Sequence, residues 1–461
     1  MSYEQLEALV GELRGLIARL ETTINTLNAT TVSQAERIAD LERLLEESRR
    51  SGKRQAAPFS KGAPKIEPKT PGRKRGQAYG RHATRPIPQR VDREFDAPVP
   101  TRCACGGDIE VTGTAVQYQT DLPAPAPVVT RFRVVQGCCR ACHRRVQGRH
   151  PEQTSDALGA ASVQIGPNAV ALGVILHYQH GLSFARAVEV LAQLGVPMRT
   201  STLVRAAART GAGLEATYQA LLDELNQARM LTMDESGWRV GGMPAWLWVA
   251  TTATATAYAV CDGRAHTDAC QLIDATFSGV LVRDGWAVYR KYTNATHQSC
   301  AAHLLRRCSE MIEALPAHER SLARSIKAVF QDALAARDLD TDARAVKLAD
   351  VTERIGLLCD GPVIGAANKR LVKHLRREAG ALFTFLTADD IDATNWRAET
   401  AIRPAVVNRK VWGGNRTSQG ATTWARIASV LRTARQQGHD AITMLVALAR
   451  EPASHQLNAF A

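Results

Sequence analysis

The hydrophobic period of the sequence changes after residue 228, and this change limits the possible folds more than any other feature. Residues 160 to 228 have a helical period, whereas the segments that follow alternate like strands. The first three run through "ARMLTMDESGW", "AWLWVATT" and "ATAYAVCD", and after a crossover at 267–277 a fourth runs through "GVLVRDGW". Such a crossover lays the fourth strand parallel beside the first. We therefore expect an α/β core built on a mixed sheet.

This strand order would place two aspartates side by side. Asp234 follows the first strand, and Asp284 ends the fourth. A lone acid at such a position is most simply explained by a strand that has ended and a carboxylate in water. Two adjacent carboxylates, however, repel each other unless a cation lies between them. Oxygen ligands without a nearby thiolate or imidazole pattern suit Mg²⁺ or Mn²⁺, so the pair predicts a divalent-metal site.

Length and charge set the broader limits. The chain has 461 residues, too many for one core, and its formal net charge of +13 indicates a polyanionic partner such as nucleic acid. No uncharged apolar run approaches the ~20 residues that a membrane helix requires, and the acidic, helical N-terminus does not resemble a signal peptide. We expect a multidomain, cytoplasmic and nucleoid-associated protein with no membrane partner.

Residues 1–50 carry a heptad pattern. One seam position holds Val10, Ile17, Ile24, Thr31, Ile38 and Leu45, and the other holds Leu6, Leu13, Leu20, Leu27, Gln34 and Leu41. β-branched residues at the first position and Leu at the second favour a parallel coiled coil over a helix that packs on its own protein. Thr31 and Gln34 interrupt the seam together, and they either fix its register or break the helix in two. The pattern predicts a homodimer or a higher oligomer.

Residues 51–100 form a basic segment rich in Pro and Gly. Between 52 and 90 it holds eleven Lys and Arg residues but one acid, so it is expected to be an extended linker. Within "PGRKRG", helix-breaking residues enclose Arg73, Lys74 and Arg75. Such a ribbon can lie along DNA phosphates or reach a minor groove.

Residues 101–150 contain five of the ten cysteines. Two knuckles, "RCACGGDIEV" and "GCCRACHRRV", are separated by strand-like sequence, which is the layout of a zinc ribbon. We expect one structural Zn²⁺ bound by Cys103, Cys105, Cys139 and Cys142. The first knuckle is one residue shorter than usual, so a ligand could be replaced by Cys138 or His143.

Residues 155–228 are expected to be helical. The segment "LSFARAVEVLAQLGVPMRTSTLVRAAART" contains a helix, a turn around Gly195, and a second helix that begins at Ser201 or Thr202. This rhythm fits a DNA-binding helix-turn-helix, whose second helix would carry Arg205 and Arg209, and it fits an ordinary αα-hairpin equally well.

Residues 229–420 would contain the sheet and its helices, followed by a C-terminal helical segment at 421–461. The stretch from about 303 to 390 is helical and basic in composition, which indicates a helical insertion into the core. Cys300 and His303 form a C-x-x-H pair at its start. They share one helix face, but two ligands alone do not make a zinc site.

Several motifs, in the same order along the chain, resemble the DDE transposases of the insertion sequence 66 family. They are "MDESGWRVGGMPAWLWV", "GVLVRDGWAVY", "QSCAAHLLR" and "NWRAETAIRPAVVNRKVWGGNRTSQGA". The resemblance continues upstream through "PGRKRGQAYGRH", the cysteine segment and the N-terminal zipper, so it covers nearly the whole chain. It implies a ribonuclease-H-like core that cuts and joins DNA ends at a pair of divalent metals.

The resemblance gives catalytic and metal-binding roles to Asp234, Asp284 and Glu399. Glu399 falls on the Glu of an N-x-x-A-E motif, although Thr400 follows where the family commonly has Arg. Residues 394–402 can form a helix, stopped by Pro404, that carries Glu399 toward the strand ends. Asn395 lies one turn earlier on the same face, where it would orient Glu399 or a substrate phosphate. The other residues expected at or near the site are Trp238, Cys300 and His303, with DNA contacts from Arg409 and Lys410.

Other acids compete with Glu399 for the third position. Three of them lie in "TADDIDATN", which is typical of a polar loop or helix cap: Asp389, Asp390 and Asp392. Glu235 would point to the opposite face of the sheet if the first strand continues past it. Asp262 ends the third strand within "CDGR", which we interpret as a turn.

The resemblance therefore implies a DNA transposase of a bacterial insertion sequence. It would bind double-stranded DNA at the element ends and at the target, and it would cleave and transfer strands with two Mg²⁺ (or Mn²⁺) ions per active site. The resemblance also implies small accessory proteins of the same element as partners. The alternative is a catalytically inactive, zinc-containing, dimeric DNA-binding regulator derived from a transposase.

Overall fold

The computed structural model describes residues 3–50 and 85–450, and the chain divides into two compact units, Met1–Phe95 and Asp96–Ala461. The predicted DNA ribbon at Arg73, Lys74 and Arg75 lies outside the described residues. Among the helices that are described, none combines the length and apolar character needed to cross a membrane.

The first unit contains the long helix α1 (Tyr3–Arg50), which continues through Thr31 and Gln34 without a break. The Thr31 hydroxyl donates to the carbonyl of Leu27, which satisfies this polar side chain within the helix. The apolar seam side chains that are described are 49% to 61% exposed: Leu13, Ile17, Leu20, Ile24, Leu27, Ile38 and Leu41. Thr31 and Gln34 therefore do not divide the helix, and fixing the register remains their predicted role.

The second unit begins with little regular structure. Two short strands, β1 (Gln136–Cys138) and β2 (Arg145–Gln147), pair antiparallel. Residues 109–135 form no strand, so the expectation that strands separate the two cysteine knuckles is wrong. β-branched side chains in this stretch, such as Val128 and Val129, are 91% exposed. Strand propensity alone does not form a strand where no neighbouring strand and no core are present.

The helices that precede the sheet are α2 (Pro167–Tyr178), α3 (Phe184–Gln193), α4 (Thr200–Gly213) and α5 (Glu215–Asn226). The predicted helical hairpin is present as α3 and α4, joined by the buried contact of Leu191 with Leu203, and its second helix begins at Thr200. Residues of α2, α4 and α5 lie in the same hydrophobic core as the sheet. The helical region is therefore not a separately folded domain.

The central sheet has five strands, in the order β5-β4-β3-β6-β7, within the described residues. Their bounds are β3 (Met230–Val240), β4 (Met243–Thr251), β5 (Thr256–Cys261), β6 (Val280–Arg283) and β7 (Thr296–Ser299). The first three are antiparallel, and β6 lies parallel beside β3 after a crossover that contains α6 (His266–Ala269), as predicted. Gly241 and Gly242 join β3 to β4 with φ values of 60° and 82°, which the favoured two-residue hairpin turn requires.

Strand β7 has no counterpart in the sequence-based expectation, because its residues Thr-His-Gln-Ser are polar. Gln298 is nevertheless fully buried. Its side chain accepts from the N–H of Phe385 and donates to the carbonyl of Leu382, so both polar groups are satisfied. These partners lie 87 and 84 residues away along the chain, which is why the local pattern does not reveal this strand.

The insertion predicted for about 303–390 is helical. Its helices are α7 (Ala301–Ala314), α8 (Arg320–Ala335), α9 (Thr341–Asp360) and α10 (Ala366–Arg377). They enclose an apolar cluster of their own that includes Phe330, Leu371 and Phe385. This cluster also contains buried residues near the start of the next helix, among them Ile391 and Ala393, so the insertion supports that start.

Helix α11 (Trp396–Trp412) continues through Pro404, so the expectation that this proline ends the helix is wrong. A proline has no N–H for the carbonyl four residues before it, here that of Thr400. The hydroxyl of Tyr258 donates to the neighbouring carbonyl of Ala401 at 2.6 Å, and Ala401 itself is fully buried. Helix α11 also packs against β3 and β4, and these tertiary contacts are not visible in the local sequence.

The last described helices are α12 (Ser418–Gln437) and α13 (Ala441–Arg450), and α12 covers the edge strand β5. The hydroxyls of Ser429 and Thr433 accept hydrogen bonds from the backbone N–H groups of Tyr258 and Thr256. These bonds satisfy groups that an edge strand otherwise leaves open. Helix α12 therefore belongs to the core of the sheet, whereas residues 451–461 of the predicted C-terminal segment lie outside the described residues.

Candidate functional site

The register of β3 and β6 brings Asp234 and Asp284 to the same part of the sheet. The two strands pair in parallel through Thr232 and Val282, and each aspartate lies two residues further on. Asp284 follows the end of β6, whereas Asp234 lies inside β3, opposite Val249 of β4. Asp234 is therefore a residue within a strand and not one beyond its end.

The surroundings of Asp234 disfavour its charged form. Burial, followed by the charges of Glu235, Asp284 and Glu399, raises the pKa of its carboxyl to about 7, although the N–H of Glu235 donates to it at 2.9 Å. The Asp284 carboxylate accepts from the N–H of Trp286 at 2.8 Å. Within the described residues, neither aspartate forms an ion pair with Lys, Arg or His. Two uncompensated carboxylates at one place suit a divalent cation.

Helix α11 delivers Glu399 to this region, because its first turn is bound to β3 and to the start of α7. The side chain of Asn395, fully buried, donates to the carbonyl of Met233, and its backbone N–H donates to the Cys300 sulfur. The N–H of Ala301 donates to the carbonyl of Ala393. Asn395 thus fixes the start of the helix beside Asp234, and Glu399 lies in the first turn.

The tightest group of potential metal ligands within the described residues is not the acidic trio. It consists of Cys300, His303 and Glu399, whose ligand atoms all lie within 4.8 Å of one another. Asp234 interacts electrostatically with Asp284 and with Glu399, but these three acids do not form such a compact set. The C-x-x-H pair thus gains a third member that the sequence alone did not indicate.

The rival acids already have cationic partners. Each of the three in "TADDIDATN" pairs with an arginine: Asp389 with Arg344, Asp390 with Arg229, and Asp392 with Arg397 and Arg337. Asp262 is exposed just after β5. Three of these acids are paired with arginines and Asp262 is exposed, so they are weaker candidates for the third position than Glu399.

Glu235 has a separate environment, as expected for a strand that continues past it. Its side chain is 1% exposed, and it accepts hydrogen bonds from the guanidinium of Arg264 and the hydroxyl of Tyr289. The Arg264 guanidinium lies over the rings of Trp246 and Trp286, at 4.7 and 4.0 Å from their centroids. This network neutralises Glu235, which leaves Asp234 as the uncompensated acid of the pair.

A buried ion pair supports the backbone at Asp284, and the sequence did not indicate it. Arg283, the last residue of β6, is 2% exposed and pairs with the fully buried carboxylate of Glu378, which also binds Arg290. The same Arg283 guanidinium donates to the carbonyl of Asp284 at 3.0 Å. An arginine inside an apolar strand signals that a partner must exist, but its identity depends on the insertion packing against the sheet.

The remaining predicted residues divide into core and surface. Trp238 is a core residue, and its indole N–H donates to Asn415 at 2.8 Å. Arg409 is 8% exposed and donates to the Ser236 hydroxyl at 3.5 Å, and Lys410 is half-buried; DNA contact by these two residues stays a prediction. Two other residues predicted to contact DNA, Arg205 and Arg209 on α4, are exposed.

The four predicted zinc ligands form two separate thiol pairs. The pKa of Cys105 is lowered by the N–H of Gly107 and by the thiol of Cys103. The pKa of Cys139 is lowered by the N–H groups of Cys142 and Ala141, and by the thiol of Cys142. Each knuckle is formed locally, but no three of the four sulfurs lie within 4.8 Å of one another. Zinc binding by this set stays a prediction.

Comparison with known proteins connects this architecture to transposases. A family model described as "Transposase IS66 family" matches residues 162–423, more than half of the chain, from just before α2 into α12. An uncharacterized protein, y4qI, from Sinorhizobium fredii (strain NBRC 101917 / NGR234) is 23% identical over 399 residues, covering 77% of this chain and 71% of that protein. The mixed sheet with its many helices fits the core of a DDE transposase.

Replacing Glu378 by Gln should lower the free energy of unfolding by about 3–5 kcal/mol, because Arg283 would stay buried without a countercharge. Urea unfolding followed by circular dichroism measures the change. Asp332→Asn is the matched control, since the side chains of Asp332 and Arg354 are 40% and 38% exposed and such surface pairs contribute little. Equal losses in both variants would contradict the structural role of the buried pair.

The raised pKa of Asp234 predicts how stability depends on pH without divalent metal. The folded-state pKa is about 7 and the reference value is 3.8, so the folded state loses stability as pH rises between these values. Asp234→Asn should therefore stabilise the protein by on the order of 2–4 kcal/mol near pH 8, and by less near pH 5. Unfolding in the presence of a chelator tests this; a gain that does not depend on pH would refute it.

Proposed function

Since the chain belongs to the IS66 family of transposases, we propose that it cuts and joins DNA strands at the ends of a bacterial insertion sequence. The observation that carries this proposal is the pair of neighbouring aspartates, one within β3 and one directly after β6, that no cationic side chain of the described residues compensates. Glu399, at the start of α11, is the third acid of the proposed site.

The chemistry of the donors fits a site for divalent metal. Asp234, Asp284 and Glu399 offer carboxylate oxygens, the ligands that Mg²⁺ and Mn²⁺ prefer. Bound there, a pair of these ions would supply positive charge and polarise the phosphate and the attacking oxygen. The neutralised acids nearby, Glu235 and Glu378, would not compete for the ions, because arginines already occupy them.

The reaction we propose has two phosphoryl-transfer steps. In the first, water replaces one bridging oxygen of a phosphodiester at the element end and frees a 3′-hydroxyl. In the second, this hydroxyl attacks a phosphorus atom of the target strand. The 3′-oxygen of the target strand leaves that phosphorus and becomes a free 3′-hydroxyl. The protein forms no covalent intermediate in this scheme. Its residues position the site: Asn395 fixes the start of α11 against β3, and Arg283 holds the carbonyl of Asp284.

Surfaces outside the catalytic site would bind the DNA. The exposed arginines on α4, Arg205 and Arg209, would contact phosphates or base edges. The basic linker around Arg73 would add contacts to phosphates, and the two cysteine knuckles would close around one structural Zn²⁺. Accessory proteins of the same element would be further partners.

Asp284→Asn should abolish metal-dependent cleavage of DNA that carries the element ends, because it removes one of the two adjacent carboxylates. DNA binding, measured by gel shift, should persist. The control is Asp262→Asn, which changes an exposed acid outside the site and should leave cleavage intact. Cleavage by Asp284→Asn at the wild-type rate would refute the assignment, and a wild-type protein that binds DNA without metal-dependent nicking would favour the inactive regulator.

Helix α1 would pair two chains so that two DNA ends are held together. Its apolar seam is about half exposed along its described length, which suits a coiled-coil partner. Deleting residues 1–48 should therefore reduce the molar mass in light scattering to that of a monomer or a smaller oligomer. If the number of chains per oligomer stays the same, so that the mass falls only by that of the deleted residues, the coiled-coil prediction is refuted.

A further inference from the structure

Three potential metal ligands meet where two helices begin. Cys300 occupies the position before α7, and His303 lies in the first turn of that helix. Glu399 lies in the first turn of α11. The ligand atoms of these three side chains are all within 4.8 Å of one another, and the His303 Nε2 is 3.7 Å from a carboxylate oxygen of Glu399.

Backbone contacts hold this group together independently of its side chains. The N–H of Ala301 donates to the carbonyl of Ala393 at 3.0 Å, and the N–H of Asn395 donates to the Cys300 sulfur at 3.2 Å. An N–H donor to a sulfur also stabilises negative charge on that sulfur. Cys300 is 1% exposed, whereas the side chains of His303 and Glu399 are 41% and 34% exposed, so an ion could enter from one side.

The donor set differs in kind from that of the two aspartates. A thiolate, an imidazole and a carboxylate are the ligands of Zn²⁺, which takes three protein ligands and one water in open sites. Ligand atoms in a tetrahedral zinc site are separated by roughly 3.3–3.8 Å, a value that follows from bond lengths near 2.0–2.3 Å, and nitrogen and oxygen ligands lie at the shorter end. The 3.7 Å between the His303 Nε2 and the Glu399 oxygen is slightly longer than this shorter end, so a small side-chain rotation would bring both atoms to an ion.

We propose that Cys300, His303 and Glu399 form a second metal site, selective for Zn²⁺, that draws Glu399 away from Asp234 and Asp284. The single carboxylate of Glu399 cannot coordinate ions in both sites at once without weakening the binding of each. Zinc and magnesium would therefore compete, and zinc would inhibit strand cleavage. The competition rests on the proposed function, whereas zinc binding itself does not.

Zinc content of the full-length protein tests the site directly. After equilibration with Zn²⁺ and dialysis, His303→Gln and Glu399→Gln should each carry about one zinc ion per chain less than the wild type. Both side chains are partly exposed, so these changes leave the core filled. The cysteine knuckles are unchanged in all three proteins. Any zinc bound there therefore contributes equally and does not affect the difference in zinc content between wild type and variant.

The chain offers a matched control in His266. Its Nε2 lies 3.5 Å from the Cys270 sulfur, so it repeats the pairing of an imidazole with a thiol. No such compact group forms around this pair among the described residues, because a third ligand is absent. His266→Gln should therefore keep the wild-type zinc content. Equal zinc content in wild type, His303→Gln and Glu399→Gln would overturn the proposed site.

A second measurement tests the competition for Glu399. Excess Mg²⁺ should weaken Zn²⁺ binding to the wild type severalfold in a chelator titration. Asp284→Asn should bind zinc as the wild type does but lose this sensitivity to Mg²⁺. Zinc binding that ignores Mg²⁺ in the wild type would overturn the shared use of Glu399. If Asp284→Asn cleaves DNA normally while His303→Gln still lacks a zinc ion, the proposed function fails and the zinc site stands.

Discussion

Electrostatic repulsion between two aspartates on neighbouring strands is the constraint around which this site is arranged. The parallel register of β3 and β6 fixes the backbone positions of Asp234 and Asp284, so neither can move away without disrupting the sheet. Burial adds to the cost, as the raised pKa of Asp234 indicates. The fold gains no stability from this arrangement, so the arrangement is better explained by the binding of a cation.

Other acids near the sheet have partners within the chain, and this difference supports the interpretation. Glu235, adjacent to Asp234 in sequence, binds Arg264 and Tyr289, and Glu378 binds Arg283 and Arg290. Acids that serve the structure are thus neutralised by the chain itself, as buried charges generally must be. Asp234 and Asp284, by contrast, have no cationic partner among the described residues. Glu399 is intermediate, because its sole ionic neighbour among those residues is His303.

Much of the central architecture could be predicted from the sequence, because strand alternation and the crossover rule are local or topological. These rules gave the antiparallel hairpins, the parallel neighbour of β3 and the pairing of the two aspartates. They did not reveal β7 or the passage of α11 through Pro404, because Gln298 and Tyr258 act through partners far away in sequence. The prediction of strands around Val128 was wrong for the opposite reason. The local sequence favours a strand, but no neighbouring strand is present among the described residues to pair with it.

Crystals grown with Mn²⁺ would show whether the two aspartates bind metal, because anomalous scattering locates manganese independently of the protein atoms. We predict two manganese ions about 3.5–4 Å apart, bound by carboxylate oxygens of Asp234, Asp284 and Glu399. Glu399 would turn toward the aspartates to complete this set. Manganese absent from Asp234 and Asp284 at saturating concentration would contradict the account, and the uncompensated aspartates would then need another explanation.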